Sequence, residues 1–118
     1  MKFLVTGSAG LIGSQIVKDL VQQNHTVYSC YHDQKPLQGI PISLDLSDEN
    51  KIIKTLQEIK PDRIIHLAAM TGVDLCETEK ELATIINTKS TETLAKQASK
   101  QKVFFLYVST DYVFNGIN

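Results

Sequence analysis

What this chain lacks removes several classes of protein. It has no run of about 18 consecutive apolar residues, so no segment reads as a membrane-crossing helix. It lacks an excess of either charge: 12 Lys and Arg stand against 13 Asp and Glu, for a formal net charge of -1. Such a balance leaves no electrostatic footprint for nucleic acid or for an anionic membrane surface. Cysteine is scarce. Cys30 and Cys76 stand alone, with no CxxC pair and no nearby pair of histidines. They read as reduced, buried thiols of a cytoplasmic protein, and no metal site is assigned. The opening Met1-Lys2-Phe3-Leu4-Val5 is too short to be a signal peptide, so none is expected. Tryptophan is absent, which decides nothing. There is no internal repeat and no low-complexity tract.

What is present is an ordinary globular composition. The 118 residues are 42% apolar and 21% charged, enough for one domain with a real core. Strand-like and helix-like segments alternate. Lys2 to Thr6 is an apolar run, predicted as a buried strand. Leu11, Ile12, Ile16, Val17, Leu20 and Val21 recur at helical spacing, and Asn24 suits a left-handed cap. Thr26 to Tyr31 is the second strand. A turn-like stretch, Asp33 to Gly39, leads to a brief extended piece from Ile40 to Asp45. Ser47-Asp48-Glu49 opens a second helix with Ile52, Ile53, Leu56 and Ile59 on its apolar face. Pro61-Asp62 ends it. Arg63 to Ala69 is the third strand. Thr78-Glu79-Lys80-Glu81 has capping-box form and starts a long helix reaching about Ser99. Val103 to Ser109 is the fourth strand.

Four strands separated by helices predict an α/β fold, a Rossmann-like parallel sheet with helices on both faces. The expected strand order is 3-2-1-4, the N-terminal half of the doubly wound arrangement. Ligands of such sheets sit at the carboxyl ends of the strands.

The most informative segment lies at the first of those ends: Val5-Thr6-Gly7-Ser8-Ala9-Gly10-Leu11-Ile12-Gly13. Three glycines follow a strand and open a helix. Gly7 can make the tight turn and Gly10 can let backbone approach a pyrophosphate. Gly13 can let the helix pack close to the strand. The free N–H groups of the helix start suit an anion. Placed so, the triplet predicts a dinucleotide site.

The end of the second strand selects the cofactor. An acid about 20 residues beyond the glycines would hold the adenosine ribose. Tyr31 is nearest that place and Asp33 falls two residues late. His32 or Lys35 can face a 2′-phosphate, which favours NADPH over NADH; both also read as solvated turn residues. Asp45 can accept from the adenine amino group while Leu46 packs on the ring, or Asp45 can simply cap a turn. Ala68 and Ala69 leave room for a cofactor against backbone, or for close helix packing. His66 lies within an apolar run and reads as a satisfied core histidine.

These residues resemble a family. Thr6 to Gly13 is similar to the glycine motif of extended short-chain dehydrogenases/reductases, and Asp45-Leu46, His66-Leu67-Ala68-Ala69, Asn87 and Ser109-Thr110 fall where that family's motifs fall. The closer resemblance is to dTDP-4-dehydrorhamnose reductases. It is carried by the stretch from Ala68 to Glu77 and by Val108-Ser109-Thr110-Asp111-Tyr112-Val113-Phe114-Asn115-Gly116, and it covers the whole chain. It implies reduction of the 4-keto group of a dTDP-linked sugar to give dTDP-L-rhamnose, with hydride from the nicotinamide. It implies that Thr110 is the catalytic hydroxyl on the substrate carbonyl and that Asn87 supports the cofactor-side network. Leu67, Ala68, Ala69 and Thr71 would line the cofactor. Ala9, Leu11, Ile12 and Val108 complete the candidate cofactor residues. Mg²⁺ and a homodimer are implied only for the parent protein.

One element of the resembled family is missing. Its proton donor is a Tyr with a Lys four residues on, beyond the fourth strand. Tyr31 and Lys35 have that spacing but sit at the adenosine end, beside Pro36, with no helix to align them. The chain is therefore expected to be the N-terminal portion of a longer reductase and inactive alone. Two alternatives stand beside it. One is a nucleotide-sugar epimerase or dehydratase of the same superfamily. The other is a cofactor-binding regulatory subunit of methionine adenosyltransferase.

Overall fold

The computed structural model describes residues 1–8, 11–32, 35–67 and 77–108, and in the long third helix side chains are described at 85 and from 88 onward. Among the described residues five strands and three helices follow in the order β1 (Lys2–Thr6), α1 (Leu11–Gln22), β2 (Thr26–Tyr31), β3 (Ile40–Ser43), α2 (Glu49–Ile59), β4 (Arg63–Leu67), α3 (Glu77–Gln101) and β5 (Phe104–Val108). All strand pairs are parallel, in the order β3-β2-β1-β4-β5. The Rossmann-like α/β class is as the sequence predicts.

The pattern 3-2-1-4 recurs with different strands in it: Ile40–Ser43 takes the third place instead of Arg63–Ala69, Arg63–Leu67 takes the fourth place beside β1, and Phe104–Val108, expected there, becomes a fifth strand outside it. The segment from Arg63 pairs directly with β1, with Phe3 opposite Arg63 and Thr6 opposite His66. The piece carries little strand signal in sequence because β3 is short, largely exposed and contains Pro41. A proline is tolerated there because an edge strand leaves one side of its backbone unpaired.

Alternation along the strands builds two cores. On one face Leu4, Cys30, Leu44 and Ile64 meet Ile52 and Leu56 of α2 and Leu94 and Ala98 of α3. On the other, Phe3, Val5, Val27, Ile65 and Leu67 meet Val17 of α1, with Ile16 and Leu20 beside it. Neighbouring residues such as Leu4 and Val5 therefore serve opposite cores. Among the described residues no helix is long and apolar enough to cross a membrane.

The helix ends follow local chemistry. Asp48 caps α2, its side chain accepting the Lys51 N–H at 3.1 Å. Each helix is followed by a left-handed residue: Asn24 at φ 68°, Lys60 at 52° and Lys102 at 58°. After α1, Asn24 N–H donates to the Val21 carbonyl and His25 N–H to that of Leu20. After α3, Lys102 N–H donates to Ser99 and Val103 N–H to Ala98 in the same pattern. These are Schellman closures, which glycine or asparagine fills without steric cost. The capping box proposed at Thr78 to Glu81 lies outside the described side chains.

Lys102 is exposed and fills a position that favours glycine. Lys102→Gly is expected to stabilise the fold by about 0.5–1 kcal/mol through relief of the left-handed backbone. A urea midpoint that stays put or falls would contradict this.

Candidate functional site

The site is built at the carboxyl ends of β1, β2 and β4. β1 stops at Thr6, and Gly7 turns the chain with φ +66°. A β-carbon on Gly7 would lie 2.9 Å from the Leu67 carbonyl oxygen, so the turn lies against the end of β4. Gly13, in the first turn of α1, is tighter still. A β-carbon there would stand 2.0 Å from the Gly7 carbonyl oxygen and 3.0 Å from the Ser8 Cα. Helix and turn thus touch backbone to backbone, a closeness only glycine permits. Such close backbone packing of turn, strand end and helix start is what the first and third glycines of a dinucleotide turn supply. Ala9 and Gly10, the tip of the turn, lie outside the described residues, as does the Leu11 side chain. Ile12 is exposed on α1.

Ser8 locks this turn sideways. It is buried, and its hydroxyl donates to the Cys30 carbonyl at 2.8 Å. The next carbonyl of β2, Tyr31, accepts the Leu44 N–H on the β3 side. Carbonyls alternate sides along a strand, so that of Cys30 faces the β1 side, just past the last β1–β2 pair at Val5 and Ser29. Ser8 supplies the donor that β1 no longer offers. Sequence reasoning did not single out this residue; its signal was a small polar side chain inside the glycine turn. The Cys30 thiol itself is inert, since burial pushes its pKa up to about 12.

At the adenosine end, the structure brings His32 and Asp45 together. The His32 Nε2 lies 4.0 Å from Asp45 Oδ2, and both side chains are more than half exposed. The other Asp45 oxygen accepts the Ser47 hydroxyl at 2.6 Å and the Ser47 N–H at 2.9 Å. Those two bonds, hydroxyl first, hold the Asp45 carboxyl below the ordinary carboxylate range. One oxygen therefore makes the turn and the other lies beside His32. Leu46 is half-buried against the α2 core. Tyr31 is half-buried at the end of β2, and Lys35 follows in an exposed connector. Tyr31 and Lys35 thus share no helix.

At the end of β4, Leu67 is buried and Val108 of β5 half-buried beside it. Ala68, Ala69, Thr71 and Thr110 lie outside the described residues. Asn87 is on α3, its side chain not described. No cluster of three or more metal-ligating side chains occurs among the described residues.

His66 is a core histidine. It is fully buried, with its ring stacked near those of Tyr107 at 5.3 Å and Phe105 at 6.2 Å. Its Nδ1 lies 2.6 Å from Thr6 Oγ1 and its Nε2 lies 3.0 Å from Thr91 Oγ1. Thr6 Oγ1 also accepts the Leu67 N–H at 3.1 Å. Burial lowers the imidazole pKa from 6.5 to about 4.

The fold is the Rossmann-like α/β sheet of the short-chain dehydrogenase/reductase kind. The model of the RmlD substrate binding domain family matches residues 1–118. The chain belongs to this RmlD family of extended short-chain dehydrogenase/reductase-like proteins, a family of reductases. It is 38% identical over 117 residues to a probable low-salt glycan biosynthesis reductase, Agl14, of Haloferax volcanii, covering 98% of this chain and 39% of that protein. It is 38% identical over 114 residues to the methionine adenosyltransferase 2 subunit beta of Xenopus laevis, covering 96% of this chain and 33% of that one. It thus spans about two fifths or less of these relatives' length. Among solved structures, a hypothetical dTDP-4-dehydrorhamnose reductase from Sulfolobus tokodaii superposes with a TM-score of 0.81 at 33% identity, over 100% of this chain and 42% of that one. A Thermus thermophilus UDP-glucose 4-epimerase in complex with NAD superposes with 0.78 at 26% identity, over 98% of this chain and 41% of that one.

Two outcomes follow from the site's packing. Gly13→Ala forces a methyl group into the Gly7 carbonyl, so it is expected to cost roughly 1–3 kcal/mol of stability and to abolish dinucleotide retention. Thermal melts with and without NADPH check both. His66 has a folded pKa of about 4, below its ordinary value of 6.5. Between those values the unfolded chain takes up a proton that the folded chain does not. The His66 contribution is therefore complete above about pH 6.5 and is lost as pH falls to 4, a change of roughly 3 kcal/mol. Urea unfolding across this window should show that slope, and His66→Gln should flatten it.

Proposed function

We propose that the protein containing these residues is an NADPH-dependent reductase of a dTDP-linked 4-keto sugar, with dTDP-4-dehydrorhamnose as substrate and dTDP-L-rhamnose as product. The observation that carries the reading is the closed turn between β1 and α1, where Gly13 meets the Gly7 carbonyl. The family match and the reductase relatives support the chemistry. A nicotinamide dinucleotide fits this turn and, when bound, would supply hydride.

The residues divide the work. The backbone from Gly7 to Gly13 would receive the pyrophosphate, with Ala9, Gly10, Leu11 and Ile12 around it. Tyr31 and His32 would face the adenosine ribose, and the Asp45 oxygen not bonded to Ser47 would accept from adenine with Leu46 beside it. Leu67, Ala68, Ala69, Thr71, Asn87 and Val108 would line the nicotinamide half. Thr110 would donate to the substrate carbonyl as charge develops on its oxygen. The protein would be cytoplasmic.

A second reading is favoured by one observation, the similarity to a methionine adenosyltransferase beta subunit. In that reading the fold binds a dinucleotide without turning it over and docks on a synthetase.

The experiment is turnover of dTDP-4-dehydrorhamnose by the full natural protein, with NADPH and NADH compared. Faster turnover with NADPH and dTDP-L-rhamnose as product is expected. Thr110→Val should lower kcat at least tenfold while NADPH affinity holds. Dinucleotide binding with no turnover, together with a stable complex with a methionine adenosyltransferase, would replace the proposal with the second reading.

A further inference from the structure

The backbone pairing between β1 and β4 ends at Thr6 and His66. Beyond that pair, side chains carry the connection. Thr6 Oγ1 accepts the Leu67 N–H at 3.1 Å and lies 2.6 Å from His66 Nδ1. One hydroxyl therefore bridges two successive residues of β4. The hydrogen placement follows from satisfying each proton. Thr6 donates its hydroxyl hydrogen to Nδ1, and the Nε2–H donates to Thr91 Oγ1 at 3.0 Å. With the hydrogen on Nδ1 instead, the buried Thr6 hydroxyl would have no described acceptor.

The imidazole is a rigid anchor for this bridge. It is fully buried, backed by the Tyr107 and Phe105 rings and tied to α3 through Thr91. Gly7 follows Thr6 directly. Its own position has no slack, since a β-carbon there would lie 2.9 Å from the Leu67 oxygen. Its carbonyl in turn sets where Gly13, and so the start of α1, can lie. Contact runs without a gap from His66 to Thr6, to the Gly7 carbonyl, to the first turn of α1.

We propose that His66 is a positioning residue for the dinucleotide turn: through Nδ1 it holds Thr6 against β4 and thereby sets the placement of Gly7 and the N-terminus of α1. The Nε2 side is an anchor to α3 and does not set the turn. This inference rests on the dinucleotide reading above.

The two sides of the ring make distinct demands, and three substitutions separate them. His66→Gln can reach Thr91 from the Nε2 position but offers Thr6 nothing at Nδ1. Thr6→Val removes the bridge while keeping a β-branched shape. Thr91→Val removes the hydroxyl that anchors the Nε2 side to α3 and leaves the Thr6 bridge in place. Each should be made in the full natural protein and measured for NADPH and NADH affinity by calorimetry, beside its thermal midpoint. All three are expected to melt a few degrees below the parent. His66→Gln and Thr6→Val should weaken the preferred dinucleotide roughly fivefold or more, and Thr91→Val by less than twofold. Equal weakening by Thr6→Val and Thr91→Val would overturn the proposal, because general loosening of the core would then suffice. So would unchanged affinity in Thr6→Val. If His66→Gln does not fold, the Thr6 and Thr91 pair decides alone. Parent protein that binds neither dinucleotide would overturn the cofactor reading first, and the inference with it.

Discussion

Everything at this site depends on a contact between two pieces of backbone. The Gly13 Cα lies so near the Gly7 carbonyl that a single methyl group would overlap it. That contact places the first turn of α1 beside the end of β1, where unpaired N–H groups concentrate positive potential.

The turn is held in place from both sides by polar side chains that an apolar core would not be expected to contain. Ser8 reaches β2 through the Cys30 carbonyl, and Thr6 reaches β4 through His66 and the Leu67 N–H. These bonds appear where the strand ladders run out. A parallel ladder leaves donors and acceptors unpaired once its strands diverge, and a buried unpaired group is costly. Ser8, Thr6 and His66 satisfy those groups and stiffen the loop in the same act. Among the described residues no buried side-chain nitrogen or oxygen lacks a partner.

The family match and the fold agree with this economy of means. The Haloferax reductase, the Xenopus beta subunit and the Thermus epimerase carry different names on similar frameworks. A shared fold says little about the chemistry each of them performs.

The sequence by itself determined the elements and their class. Periodicity marked α1 and α2, apolar runs marked β1, β2, β4 and β5, and the glycine spacing marked the turn. These signals are local, since a helix face and a strand are written in neighbouring residues. Asn24 was legible as a cap and Ser47-Asp48-Glu49 as a helix start for the same reason. Only the tertiary structure decided that Ile40–Ser43 is a strand, because four largely exposed residues with a proline carry almost no pattern and gain their order from Tyr28 to Tyr31 alongside. It alone joined Thr6 to His66 and Thr91, and His32 to Asp45. Those partners are far apart in the chain, and no periodicity links them. Their meeting is set by strand order, which arises from packing the whole sheet between its helices.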